Sequence, residues 1–483
     1  LELKKYLSRC EKYAEADWVP NAENLKTVAE AEKKIISDDI TFEARYYFAA
    51  KDYELIEGRD WEKSEKGLLK NRVNALEELC KDQGLSEIFD LSKYCCNCSV
   101  LGICCAQTSF ADRIDNEMKK SLLEDDSSML EVACGYYSER YRRQGESLLQ
   151  RPINENWSTQ SSLAFYSALP CNKEVWSAAE AKLKEESHLY WQKAACCRKV
   201  DTVEEAVYIF EQYCSVGRQS DALLFAHYCI EDDVDVDPDI LLKCLQGYSP
   251  DSRRGFETHF VPEICDYIAR KYPTIDLAWQ EFRLFPLFQD GDESYLLKLL
   301  SSNPEFFVAI LSLAYKPHNR VEDQTHEASK DAATRAFEVL WRWKRVPGLQ
   351  DDGEVDKEAF DRWIAMTLEK SRKADRLEVA EITIGSCLFH APKDQTGLFI
   401  NRTIADFLDT NANALRGFAT ESVNSLGAMT VDGTGKTQFS LAEEYESKAK
   451  ELEGIGLLDF AATVREISSG FVREGKDEIE REW

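Results

Sequence analysis

Sixteen cysteines and six histidines are the side chains of this 483-residue sequence best suited to metal or nucleophilic chemistry. The densest cluster is Cys95-Cys96-Asn97-Cys98, followed by Cys104-Cys105. Cys95 and Cys98 form a C-x-x-C, half of a tetrahedral zinc site that needs a second such pair or nearby imidazoles to close. No histidine precedes His188, and Cys95, Cys98 and Cys105 fall near one helical face. The pattern therefore reads as small thiols packed between helices, and no metal is assigned. Cys196-Cys197 reads the same way. The spacings are not those of a secreted disulfide scaffold, so reduced, buried thiols in a cytoplasmic protein are expected.

The segment Val431-Asp432-Gly433-Thr434-Gly435-Lys436-Thr437 has the ending of a phosphate loop, but the position where the first glycine belongs is Thr430. A surface loop is expected, without a nucleotide. The acidic runs Glu124-Asp125-Asp126 and Glu231 to Asp237 lack the turn glycine and terminal glutamate of a calcium loop, and read as solvated connections. The histidines form no H-x-x-x-H or H-E-x-x-H, and no G-x-S-x-G occurs. No catalytic residue or cofactor is assigned. What is left is the run Trp341-Arg342-Trp343-Lys344-Arg345, because aromatic and arginine side chains anchor interfaces. Trp341, Arg342, Trp343, Arg402 and Arg416 are taken as partner-binding residues, with one tryptophan of the run in the core as the plainer alternative.

The elements that must carry these residues are helical. From Val203 to Cys214 the apolar side chains Val203, Ala206, Val207, Phe210 and Cys214 lie on one stripe of a 3.6-residue period. Thr202 and Glu205 supply a capping box, Gly217 a stop, and Ala222, Phe225, Ala226 and Cys229 a second stripe, which together make a helical hairpin. Asp237-Pro238-Asp239 opens another helix. Comparable stripes recur at 68–80, 121–142, 173–197, 260–271, 277–288, 295–300, 304–314, 332–343, 357–371 and 377–389. Near the end, Ser440 with Glu443 is expected to cap one helix, and Phe460, Val464, Ile467 and Phe471 stripe another. Strand patterns are scarce. The expected fold is all-α, an α-solenoid of degenerate helical hairpins in a HEAT-, armadillo- or tetratricopeptide-like superhelix without a strict period. The polar stretch 151–160 and the acidic loop 346–354 divide it into 1–160, 161–345 and 346–483.

Composition sets outer bounds. Lys and Arg number 60 against 88 Asp and Glu, a formal charge of −28, while 44% of residues are apolar. That balance argues against coating nucleic acid, whose phosphates are bound by clustered Lys and Arg. No stretch approaches the ~20 apolar residues of a membrane span, and Leu1-Glu2-Leu3-Lys4-Lys5 does not begin a signal peptide. Without an initial Met, the sequence is expected to be part of a longer chain.

Ordered short segments from about Leu163 to Phe471 resemble the carboxy-terminal helical region of a family of large bacterial multidomain proteins. They are Ala168-Leu169-Pro170 with Trp176 and Tyr190-Trp191, Asn303-Pro304-Glu305-Phe306-Phe307, and Trp343-Lys344-Arg345-Val346-Pro347-Gly348 before Asp352-Gly353. Phe360 with Trp363, His390-Ala391-Pro392, and Arg416-Gly417-Phe418 with Asn424-Ser425 follow. The resemblance implies a layout similar to antiviral signal-transduction ATPases, in which an effector and a nucleotide switch precede a helical sensor. This chain, which has no switch motif, would be the sensor or scaffold end. It would bind a foreign or viral protein with a basic surface, with oligomers formed through domains outside the sequence. An α/α-toroid enzyme acting on a glycan or lipid-like substrate, and a self-assembling scaffold, are the alternatives.

Overall fold

A computed structural model describes residues 2–36, 41–55, 61–83, 86–124, 127–249, 257–289, 294–318, 330–427 and 433–480. Every regular element among them is a helix, and the only bridge is an isolated antiparallel one between Leu349 and Val355. The expectation of an all-α chain is met. Helix starts follow from short polar side chains in extended backbone. Ser158, Asn172, Thr202, Thr274, Ser294, Asn303, Asp356 and Asn411 each accept a hydrogen bond from an otherwise unpaired N–H of the first turn. At Thr202 the capping residue holds Glu205 N–H at 3.2 Å, while the Glu205 carboxylate reaches back to Asp201 N–H, also at 3.2 Å.

The chain divides into two compact units, Leu1–Ile240 and Leu241–Trp483. In the first, helix Cys98–Cys105 lies against Ser127–Gln144 at glycine-limited distance. A β-carbon on Gly102 would stand 1.9 Å from Val132 O, and one on Gly135 2.1 Å from Ser99 O. Cys104 and Cys105 are buried beside this crossing. Tyr136, Tyr137, Phe165 and Tyr166 form an edge-to-face aromatic core. The Arg151 guanidinium grips the buried Asp115 with two bonds of 2.8 and 2.7 Å.

In the second unit the motif repeats between Leu377–Leu388 and Ala412–Asn424. Added β-carbons at Gly385 and Gly417 would each meet a facing carbonyl, of Ala414 and Ile382 respectively, at 1.9 Å. Lys436–Gly454 and Leu458–Glu480 close the unit as a hairpin. No single described helix is long and apolar enough to cross a membrane. Tyr295–Ser302 and Pro304–Ala314 would suffice only together, and they meet at 110° with their apolar faces in the core.

Several local readings need correcting. Cys95 and Cys96 precede the helix, which starts at Cys98 after the Asn97 cap, so Cys95 does not share a helical face with Cys105. The 121–142 stripe belongs to two helices, Ala111–Ser121 and Ser127–Gln144. Ser440 caps nothing: it lies inside Lys436–Gly454, which begins after Gly435 in the left-handed region at φ 64°. Cys171 and Cys197 are joined by a disulfide across 26 residues, so this pair departs from the expectation of reduced thiols. Asp125, Asp126, Thr430, Val431 and Asp432 lie outside the described residues.

Candidate functional site

A cavity of about 370 Å³ lies in the second unit, where the end of one helix, a loop and a second helix meet. Helix Tyr295–Ser302 ends because Asn303 turns extended and caps the next helix, accepting from Glu305 and Phe306 N–H at 3.0 Å each. This leaves Lys298, Ser301 and Ser302 on one wall. Ser301 is pinned: its hydroxyl accepts from the Trp343 indole at 2.8 Å and donates to Arg345 O at 2.6 Å. The chain leaving helix Lys330–Arg342 is thereby fixed as the second wall, carrying Arg345, Val346, Gly348 and Leu349.

Gly348 has φ 77°, and a β-carbon there would stand 2.8 Å from Asp356 O, so the tight return to Asp356 requires glycine. Asp356 N–H donates to Gly348 O at 2.9 Å, and the Asp356 carboxylate caps the next helix through Ala359 N–H at 3.0 Å. That helix, Lys357–Lys373, supplies the third wall with Ala359, Arg362, Trp363 and Met366. Beneath lies an aromatic triangle: Phe307 to Trp343 5.1 Å, Phe307 to Trp363 5.4 Å, and Trp343 to Trp363 5.8 Å between ring centroids. Rings so packed have little freedom to move.

The cavity's electrostatics invert those of the chain. Lys298, Arg345 and Arg362 line it, and among the described residues no carboxylate, histidine or cysteine does. Arg345 reaches the fully exposed Asp351 at 3.6 Å, a contact that solvent weakens, and Arg362 has no ion pair among the described residues. The indole N–H of Trp363, a residue only 4% exposed, finds no hydrogen-bond partner. With three cations and the hydroxyls of Ser301 and Ser302 on its walls, the cavity presents charge and hydrogen-bond donors to whatever enters it.

The five residues singled out in the sequence are not gathered into one site. Trp341 is 56% exposed and shares a ridge with Phe337, four residues earlier and 54% exposed. Arg342 is spent on structure, donating to Phe288 O at 2.9 Å and to Gln289 O with its charge over the Phe285 ring. Trp343 is a correction: at 2% exposure it is a core residue of the aromatic triangle, out of a partner's reach. Arg402 pairs with Asp406 at 2.8 Å on helix Arg402–Asp409. Arg416, 3.6 Å from Glu378, edges a separate open groove of about 580 Å³ between Ala412–Asn424 and Leu458–Glu480. Sequence reasoning missed Lys298, Arg362 and Trp363, since no spacing rule links positions on three different elements. Two faint signals existed, the Phe360 and Trp363 pair and the Asn303 to Phe307 segment.

The cysteine cluster is chemically quiet. Burial pushes the Cys95 and Cys104 thiols up to about 12 and Cys105 well above its ordinary value, far from the thiolate that reacts or binds metal. Among the described residues no three His, Cys, Asp or Glu side chains are placed to hold a metal ion. Comparison with known protein families, curated proteins and solved structures finds no match to this chain.

Proposed function

We propose that this chain is a non-catalytic helical binding module that recognises a protein partner through the ridge of Phe337 and Trp341. The observation that carries the reading is this pair. Two large aromatic rings one helical turn apart, each more than half exposed, sit on a helix whose opposite face, Ala336, Val339 and Leu340, is buried. Isolated exposed apolar residues are ordinary, whereas adjacent aromatics on a rigid helix have the character of interface anchors. Tyr315, 6.3 Å from Phe337, and Lys344, 6.0 Å from the Trp341 ring, widen the patch with a further ring and a cation. A stack of helical hairpins serves such a role without a deep reaction pocket. The resemblance noted in the sequence supports a sensor or scaffold setting in bacterial antiviral signalling, within the cytoplasm, and the net acidity of the chain favours a partner that is basic overall.

The test is co-purification with candidate partners, repeated with Phe337→Ala and Trp341→Ala. Both side chains are exposed, so thermal melting should hold while retention falls by about tenfold or more, the usual loss when an aromatic anchor is truncated. Retention indifferent to both substitutions, or turnover of a small molecule by the isolated chain, rejects the reading.

A further inference from the structure

We infer that the cavity bounded by Lys298, Arg345 and Arg362 is a binding site for a small organic anion, a phosphate or carboxylate carried on a flat apolar body. Three observations converge on it, and none involves the Phe337–Trp341 ridge. The charge is selective: in a chain with 88 acidic and 60 basic side chains, this cavity takes one cation from each of three elements and, among the described residues, no acid lines it. Such placement raises the local concentration of anions, and arginine forks match the oxygens of carboxylate and phosphate.

The second observation is rigidity. Ser301, locked between the Trp343 indole and Arg345 O, and Gly348, held against Asp356, fix the positions from which two of the cations project. A site whose backbone is already ordered loses little entropy when a ligand arrives. The third is the apolar lining. Val346, Leu349, Ala359 and Met366 complement the cations, and Trp363 adds an aromatic side chain to the lining. Bare inorganic phosphate would leave the apolar wall unused. At about 370 Å³ the volume falls at the small end of ligand pockets, room for a single ring bearing its anionic group.

The experiment titrates the whole chain with phenyl phosphate, benzoate and, as neutral control, benzyl alcohol, following heat by calorimetry and the tryptophan indole N–H cross-peaks by NMR. Trp363→Phe assigns the Trp363 cross-peak by its disappearance. One of the two anions should move that peak saturably and benzyl alcohol should not, and the better anion identifies the head group. Arg362→Gln, a change at an exposed side chain that leaves folding intact, should weaken the anion by about tenfold, the size of one charge-assisted hydrogen bond. Raising salt should weaken it further. The inference fails if neither anion binds, if benzyl alcohol binds as well, or if Arg345→Gln combined with Arg362→Gln leaves calorimetric affinity unchanged. The calorimetric arm needs no tryptophan substitution, so a poorly folding Trp363→Phe does not spoil the result.

Discussion

Glu281 shows how one buried side chain sets a condition on stability. It is 1% exposed, and its carboxylate accepts from Leu296 N–H at 2.6 Å and Tyr295 N–H at 3.3 Å, holding the start of helix Tyr295–Ser302. Burial pushes its pKa up to about 7 against the lowering effect of those hydrogen bonds and of Ser294, with Asp266 adding to the rise. An acid that holds its proton more tightly when folded stabilises the fold most below its unfolded pKa. That stability is lost as pH rises from the ordinary glutamate range to about 7, after which the loss levels off. A gap of about 2.5 units corresponds to roughly 3 kcal/mol. Glu281→Gln keeps an acceptor for Leu296 N–H and cannot ionise. The variant should melt with wild type near pH 5 and increasingly above it toward pH 8. Parallel melting curves across that range would show that Glu281 does not titrate on folding. In the sequence this residue is one glutamate of a helical stripe, and nothing marks it as buried, because the burial comes from a neighbouring helix start.

At the scale of elements, the most demanding contacts are the two glycine crossings. Gly102 with Gly135, and Gly385 with Gly417, let paired helices approach until backbone meets backbone. A methyl group at Gly102 or Gly385 would overlap a carbonyl of the opposite helix at 1.9 Å, so the whole pair must move apart. Gly102→Ala and Gly385→Ala should each destabilise their unit by about 3 kcal/mol or more, the upper range for overpacking. Gly470 is the internal control: it sits within helix Leu458–Glu480 with nothing within 4 Å of an added β-carbon. Gly470→Ala should gain about 0.5–1 kcal/mol from helix propensity. Urea denaturation of the three variants checks both signs at once. If Gly102→Ala and Gly470→Ala behave alike, the close crossing is not real. This contrast also shows what the sequence makes legible. Stripes and caps such as Thr202 and Asp237 announce helices because they are local, and Cys104 and Cys105 are buried beside a helix crossing as expected, whereas Cys197 is tied to Cys171 by a pairing that no local pattern announces. Which glycine faces a neighbouring carbonyl is settled by partners some thirty residues away, and the meeting of Lys298, Arg345 and Arg362 by residues 17 to 64 apart, so neither appears as a motif.

For the molecule as a whole, the charge of −28 acts in two opposite directions. Many of the ion pairs, such as Lys81 with Glu78, Lys120 with Glu117 and Lys357 with Asp361, join exposed side chains within one helix. Each such pair contributes only a few tenths of a kcal/mol, so together they do not offset the repulsion among the excess carboxylates. Screening therefore relieves more repulsion than attraction, and the melting temperature should rise as sodium chloride increases from about 10 to about 300 mM, over which the Debye length falls from roughly 30 to 6 Å. The cationic cavity answers the other way, since its attraction for an anion is screened by the same salt. One titration series at matched salt concentrations separates the two: melting temperature climbing while phenyl phosphate affinity declines. A melting temperature that falls with salt would mean that attractive pairs, and the buried Arg151 to Asp115 contact among them, outweigh the surface excess. The acidic composition would then describe a set of matched pairs and not a repelling exterior.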